Sequence, residues 1–317
     1  MKYTLLAAAS LLTVTAWAAP IGIASGADTG TNYPMVDDIA AACSTPNSPI
    51  TNVGGPPATT VTNGAMDNIA LVFNDKKVQY GVADEVTLEY MRRTDPKMME
   101  NIVMVFPFFS TDVHVVVAAG SPFKTLADLR GQPVVEGPIG SSTQVTTQII
   151  KGLTGYQFAA TPHVNASQAA GLKAVQTGQA AAMFVTAGAP ISVLRSAPGI
   201  RILSIQDPAL DNFKYFTKTT IPAGTYPQAG NQSIQTYKLR NGLITYNYRN
   251  QYQAEIGSLV TCIAKKLPNL QAGNGGGGKD GAAHPKWRDV DVLDINQMKW
   301  PVHPAALKAI KAATSAK

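Results

Sequence analysis

Ile21-Gly22-Ile23-Ala24-Ser25-Gly26-Ala27-Asp28-Thr29-Gly30-Thr31-Asn32-Tyr33-Pro34 is the stretch on which the reading of this chain turns. Ile21 to Ala24 reads as a buried strand, Ser25 to Gly30 as a glycine loop, and the run through Tyr33 to Cys43 as a helix with Pro34 in its first turn. Strand, glycine loop and helix open an α/β unit. The same alternation continues outward. Ile69 to Phe73 reads as a strand, Asp84 to Arg93 as a helix, and Ile102 to Phe106 and Val113 to Ala118 as strands. A short helix at Leu126 to Leu129, a strand at Pro133 to Glu136, and helices at Ser141 to Leu153 and Ser167 to Thr177 follow. Strands at Ala182 to Val185 and Ile200 to Ile205 complete a second set. Continuous β-branched runs of this kind are expected of parallel strands buried on both faces. Beyond Thr225 the pattern weakens to a strand at Leu243 to Tyr246, a helix from Gln251 to Leu267, a flexible glycine-rich surface loop at Ala272 to Ala283, and a last helix at Pro304 to Ala313.

The 317 residues are enough for two cores, and an apolar share of 45% supports compact folding. Two lobes are therefore expected. The formal charge is +6, but the basic residues are scattered, with Arg92-Arg93 and Lys265-Lys266 the densest runs, and aromatics do not interleave with them. That pattern describes a solvated surface with weak steering of anions and speaks against nucleic acid as a partner. Lys2, the apolar run Leu5 to Val14 and the small residues of Thr15-Ala16-Trp17-Ala18 read as a secretory signal over residues 1–18, with release into the periplasm expected. The run is too short to span a bilayer. In an oxidising compartment Cys43 and Cys262 suit a disulfide; two separate buried thiols are the alternative.

Chemistry-bearing motifs are few. The first loop lacks the GxGxxG order of a dinucleotide site, since Gly26 and Gly30 are its only glycines, and no GK[ST] phosphate loop occurs. Its glycines still allow close backbone approach at a helix start, for a ligand or merely for a turn. The second loop, Glu136-Gly137-Pro138-Ile139-Gly140-Ser141-Ser142-Thr143, again leaves a strand and enters a helix, with three hydroxyls where orphan amides point. A carboxylate would be received there, and a plain serine N-cap is the competing reading. Ser141 and Ser142 lack the GxSxG elbow, and His114, His163, His284 and His303 fall at no metal-ligand or triad spacing. No catalytic residue, metal or cofactor is expected, and each histidine reads as structural. A periplasmic hydrolase using Ser141 or Ser142 and a ligand-binding sensor subunit are the alternatives.

With these loops in place, the sequence resembles the TAXI family, the TRAP-associated extracytoplasmic immunogenic receptors. The likeness rests on Gly22 to Gly26 with Gly30 to Pro34, on Val113-His114-Val115-Val116-Val117 with Leu126 to Gly131, on Gly137 to Thr143, and on Phe184-Val185-Thr186-Ala187-Gly188-Ala189-Pro190. Thr220 to Pro227 and Pro301-Val302-His303-Pro304 extend it. The resemblance implies a two-lobed, Venus-flytrap, type II-like periplasmic-binding-protein fold with a hinge, acting as a monomer that captures a small organic anion or amino acid, glutamate-like compounds among them. It implies delivery to a TRAP membrane permease driven by an ion gradient, and no enzyme activity. Family carboxylates meet the loops that correspond here to Ser25, Asp28, Thr31, Asn32 and Tyr33, to Ser141, Ser142 and Thr143, and to Ala187, Gly188 and Ala189, with Asn74 at the end of another strand. The lobes are expected at 19–113 with 222–317, and at 114–221, crossing near Asp112 and Thr219. Three departures stand out: Gln144 occupies a position where family members often carry arginine, Asp28 interrupts a run of small residues, and Asn32-Tyr33 stands where an aromatic pair often precedes the proline. Asp28 is read either as a partner for a ligand ammonium or as a cap for the helix behind it.

Overall fold

The structure, a computed structural model, describes residues 20–28, 30–53, 62–159, 161, 166–248 and 252–315; the expected signal peptide and His163 lie outside them. Within the described residues the strands are β1 (Ile21–Ala24), β2 (Ile50–Val53), β3 (Tyr80–Asp84), β4 (Ile102–Pro107), β5 (Thr111–Ala118), β6 (Val134–Val135), β7 (Ala182–Ala187), β8 (Ile200–Ile202), β9 (Thr217–Ile221), β10 (Ile234–Leu239) and β11 (Asn241–Tyr246). The longer helices are α1 (Asn32–Cys43), α2 (Ala65–Asn74), α3 (Glu85–Thr94), α4 (Ser142–Thr154), α5 (Gln168–Gln176), α6 (Gln253–Gln271) and α7 (Pro304–Ser315). No helix among them is long and apolar enough to cross a membrane.

Two sheets form, ordered β2-β1-β3-β11-β4 and β6-β7-β5-β10-β9, with β8 added beside β5. In the first, β1 runs parallel to β2 and β3, while β11 is antiparallel to β3 and β4. In the second, β5 is antiparallel to β7, β8 and β10. The apolar runs of β4 and β5 are thus buried strands as expected, but their neighbours run the other way. Burial on both faces fixes the composition of a strand without fixing its direction.

The chain passes between sheets twice, through Phe108 to Ser110 from β4 to β5, and at Arg240 from β10 to β11. The first crossing lies beside Asp112. The second does not lie near Thr219, which is in the middle of β9; residues 222–239 belong with the second sheet and not with the first lobe. β9 is an edge strand with alternating exposure, and its polar Thr-Lys-Thr-Thr sequence resembles a connection more than a strand.

Two further expectations are corrected here. Ile69 to Phe73 is not a strand but the centre of α2, whose buried residues Ala65, Asn68, Ile69 and Val72 keep the i, i+3, i+4, i+7 spacing of a helix face while Phe73 is 44% exposed. Five apolar residues alone cannot distinguish the two periods. Residues 272–283 are not a loose loop. Gly277 N donates to the buried Asp38 carboxylate at 2.8 Å, and a Cβ on Gly276 would stand 2.3 Å from Asp38 Oδ1 and 2.5 Å from Ala283 Cα. The glycines let the chain press onto α1. Cys43 and Cys262 are bonded, stapling α1 to α6.

One hydrophobic cluster fills the first sheet against α1, α6 and α7, another fills the outer half of the second, and the third runs from α2 and α3 through β5 into α4. That last cluster continues across both lobes on one flank.

Candidate functional site

A cavity of about 880 Å³ lies between the two sheets. The first lobe supplies Ser25 and the loop that follows it, together with Thr31 and Asn32 at the start of α1; the second supplies Ser141 to Thr143 at the start of α4 and the turn after β7. Phe109, Thr111 and Asn241, at the two crossings, contribute to the lining, and Lys286 enters from the segment after the glycine loop. A smaller hollow of about 410 Å³ beside the crossings shares Lys286, Ala189 and Pro190 but receives neither helix start, so the larger cavity is the candidate site.

Backbone donors dominate its chemistry. Thr31 gives α1 no side-chain cap. At α4 the cap is Ser141, whose Oγ donates to Pro138 O at 2.6 Å and accepts from Gln144 N at 3.2 Å. Gln144 Oε1 in turn accepts from Gly140 N at 2.9 Å, so the residue standing where the family pattern often has arginine closes the loop. The first N–H groups of a helix have no intrahelical partner, and among the described residues the Ser142 and Thr143 amides have no other backbone partner. These amides and the positive end of the helix suit an anion.

The hydroxyls are placed differently from the expectation. Ser142 Oγ donates at 2.6 Å to Asp84 Oδ2, across from the second lobe to the first. Asp84 also accepts from Thr87 N and Thr87 Oγ1, both at 2.8 Å, and caps α3; burial raises its carboxyl above the usual range, against the pull of those donors. The Ser142 proton is therefore committed elsewhere. Thr143 Oγ1 accepts from Thr186 N at 3.0 Å, which leaves its own proton to donate. Ser25 Oγ donates to Asn52 Oδ1 at 2.6 Å, and Asn52 in turn donates to Asp37 and to Tyr33 O, so the first loop is braced from β2.

The turn after β7 is held from three sides. Asp112 Oδ2 accepts from Ala189 N at 3.3 Å, and burial raises that carboxyl. Lys286 Nζ donates to Ala189 O at 2.7 Å, pairs with Asp289 at 2.5 Å and lies 5.6 Å from the Phe109 ring centroid. A Cβ on Gly188 would meet Lys286 Cε at 2.5 Å, so a side chain there would displace the lysine from Ala189. Tyr226 Oη accepts from Ile191 N at 2.8 Å and bonds His114 Nε2 at 2.9 Å, while His114 Nδ1 faces Asp112 O at 3.0 Å. Nδ1–H donating to that carbonyl leaves Nε2 to accept from Tyr226. Complete burial pushes the His114 imidazole down to about 4, so a neutral ring completes this chain.

Of the residues singled out in the sequence, Ser25, Thr31, Asn32, Ser141, Ser142, Thr143, Ala187, Gly188 and Ala189 line the cavity. Asp28 is exposed and does not line it, nor does Tyr33. Asn74 is exposed at the end of α2 and does not line the cavity, and the strand it was assigned to is a helix. Sequence reasoning missed Phe109, Thr111, Asn241 and Lys286. A threonine opening the apolar run of β5 is a weak signal for the second of these; Lys286 has none, since only the anchoring of its segment on Asp38 brings it inward.

A family model described as the NMT1-like family matches residues 23–311. Among solved structures, the fold is similar to that of XAC2383 from Xanthomonas citri bound to ATP, with a TM-score of 0.52, 8% identity, and 94% of this chain and 96% of that one covered. It is similar to a TctC solute binding protein from Polaromonas, with a TM-score of 0.51, 15% identity, and 93% and 95% covered. It is also similar to the periplasmic sulfonate-binding protein SsuA from Methylobacillus flagellatus KT, with a TM-score of 0.50, 12% identity, and 95% and 86% covered. At such identities the likeness is one of fold. The two-sheet, two-lobed α/β architecture is that of periplasmic binding proteins.

Proposed function

This chain belongs to the NMT1-like family, and from that membership and the form of its cleft we propose that it is a periplasmic solute-binding protein that captures a small organic anion for a membrane transporter and performs no chemistry on it. The observation that carries this reading is the cavity of about 880 Å³ lined by both lobes, onto which the starts of α1 and α4 open. Its size is that of a small-molecule site. The ligand's acid group rests on the Ser142 and Thr143 amides and on the Thr143 hydroxyl, and binding draws the lobes together about the crossings at Phe108 to Ser110 and Arg240. The secretory pattern at residues 1–18 supports export. The motifs shared with TAXI receptors support a TRAP permease as the partner and a monomeric receptor as the acting form. A hydrolase has less support: among the described residues the Ser141 and Ser142 hydroxyls are engaged by Pro138 O and Asp84, and neither bonds a histidine.

A thermal-shift screen of the mature chain against organic acids, amino acids and neutral solutes tests the proposal. A ligand at 100 times its Kd adds about 2.7 kcal/mol of apparent stability. Acids should shift the transition and remain chemically unchanged; an ester hydrolysed by a protein that no acid stabilises would replace this reading with the enzyme one.

A further inference from the structure

Asn32, Thr111 and Thr186 line the cleft, and a side-chain oxygen of each, Asn32 Oδ1, Thr111 Oγ1 and Thr186 Oγ1, is buried without a protein hydrogen-bond partner. Thr111 is only 7% exposed. β5 and β7 pair Val113 with Thr186, so Thr111, two residues before Val113, and Thr186 project from the same face of the second sheet. Asn32 comes from the other lobe, at the start of α1. Two threonines on one wall of the cleft and Asn32 on the other thus each bring an unsatisfied oxygen into its lining residues. Thr186 also donates its N–H to Thr143, beside the amides assigned to the ligand's acid group.

Buried polar atoms of this kind are costly unless a hydrogen-bonding group meets them. A hydrocarbon chain would leave all three unmet. An ammonium group would satisfy them but would need an opposing charge, and the only carboxylate among the described lining residues is Asp289, already paired with Lys286. Asp28, the other candidate counter-ion, is exposed and outside the lining. A neutral hydroxyl both donates and accepts, so it satisfies threonine hydroxyls and an amide oxygen with no charge to balance.

Resting on the reading of the cleft as an acid-binding site, we propose that the ligand is a hydroxylated acid, selected over its deoxy and amino counterparts by Asn32, Thr111 and Thr186. Sites built to hydrogen-bond a ligand hydroxyl reject the analogue that lacks it far more strongly than apolar pockets reject a missing methylene.

Calorimetric titration with matched acids provides the test: 2-hydroxyglutarate, glutarate and glutamate, which differ only in OH, H or NH3+ at one carbon, together with glucarate against adipate. The hydroxylated member of at least one set should bind at least about tenfold tighter than its counterparts. Thr111→Val, which keeps shape and removes the hydroxyl, should erase most of that advantage by lowering the hydroxylated acid's affinity toward that of its deoxy counterpart. Equal or tighter binding of glutarate and adipate overturns the selectivity but leaves acid binding standing. Tighter binding of glutamate overturns it in favour of an ammonium contact. Binding by none of the five acids overturns both the selectivity and the acid site.

Discussion

Replacing Asp38 with alanine tests how the far wall of the cleft is held. Asp38 is 2% exposed, and its carboxylate accepts from Gly277 N at 2.8 Å, His284 N at 2.7 Å and Trp287 Nε1 at 2.8 Å. A buried donor stranded by loss of its partner costs about 1–3 kcal/mol. The Trp287 ring is fully buried and cannot turn to water, whereas Gly277 is exposed and His284 half-buried, so their N–H groups lie closer to solvent. The expected loss is therefore about 3–5 kcal/mol, below the simple sum of three such penalties. In a chain of this size that lowers Tm by about 6–10 °C. Asp38→Asn keeps one acceptor oxygen but turns an NH2 toward a donor, so it should fall between the two. Because the same segment carries Lys286 to Ala189, the alanine variant should also weaken any ligand of the cleft in calorimetry at a temperature where it remains folded. A Tm within about 2 °C of the parent, with unaltered affinity, would refute the anchoring argument.

Protonation of His114 supplies a pH test: its folded value of about 4 lies below the unfolded value near 6.5, so the unfolded chain binds the extra proton, and stability from this group is lost as pH falls from 6.5 toward 4. The full window amounts to about 3 kcal/mol, and His114→Gln should flatten the stability profile there in denaturant titrations; a parallel profile contradicts the assignment. Asp84 and Glu85, raised by burial, act in the opposite sense, their contribution being lost as pH rises through their folded values, which is why the variant is compared with the parent and not with a flat line. The Cys43–Cys262 bond closes a separation of 219 residues, and reducing it should lower stability by about 2–5 kcal/mol; thiol titration of the unfolded, unreduced chain should find no free thiol, and two would contradict the bond. Thr143→Val removes a proton donor from the acid site and strands Thr186 N, so every acid should weaken about tenfold or more in calorimetry, and unchanged affinity would remove Thr143 from the site.

The sequence made the opening β1-loop-α1 unit legible because glycines, an apolar strand and a proline in the first helical turn each mark a backbone requirement independent of the rest of the chain. The loop before α4 was legible for the same reason, with Ser141 capping where a serine should. Tertiary choices stayed out of reach. Whether Ile69 to Phe73 would be strand or helix depends on which faces its neighbours cover, and Phe73 resolves it by remaining exposed. The four consecutive glycines looked like a flexible linker, yet their lack of side chains serves close packing on Asp38, some 240 residues earlier by hydrogen-bond separation of 239 and 246. The direction of the Ser142 hydroxyl is likewise unreadable, because its partner Asp84 comes from the other sheet. Lys286 and Thr111 reach the cleft through such long-range placement, and no local spacing announces it.

The most direct measurement is a crystal structure of the mature chain with the acid that gives the largest thermal shift. That acid is expected inside the cleft, one carboxylate oxygen within about 2.7–3.2 Å of the Ser142 and Thr143 amides, with the lobes closed around it. An acid bound outside the cleft, or bound there with its carboxylate turned away from the start of α4, would contradict the assignment of the site.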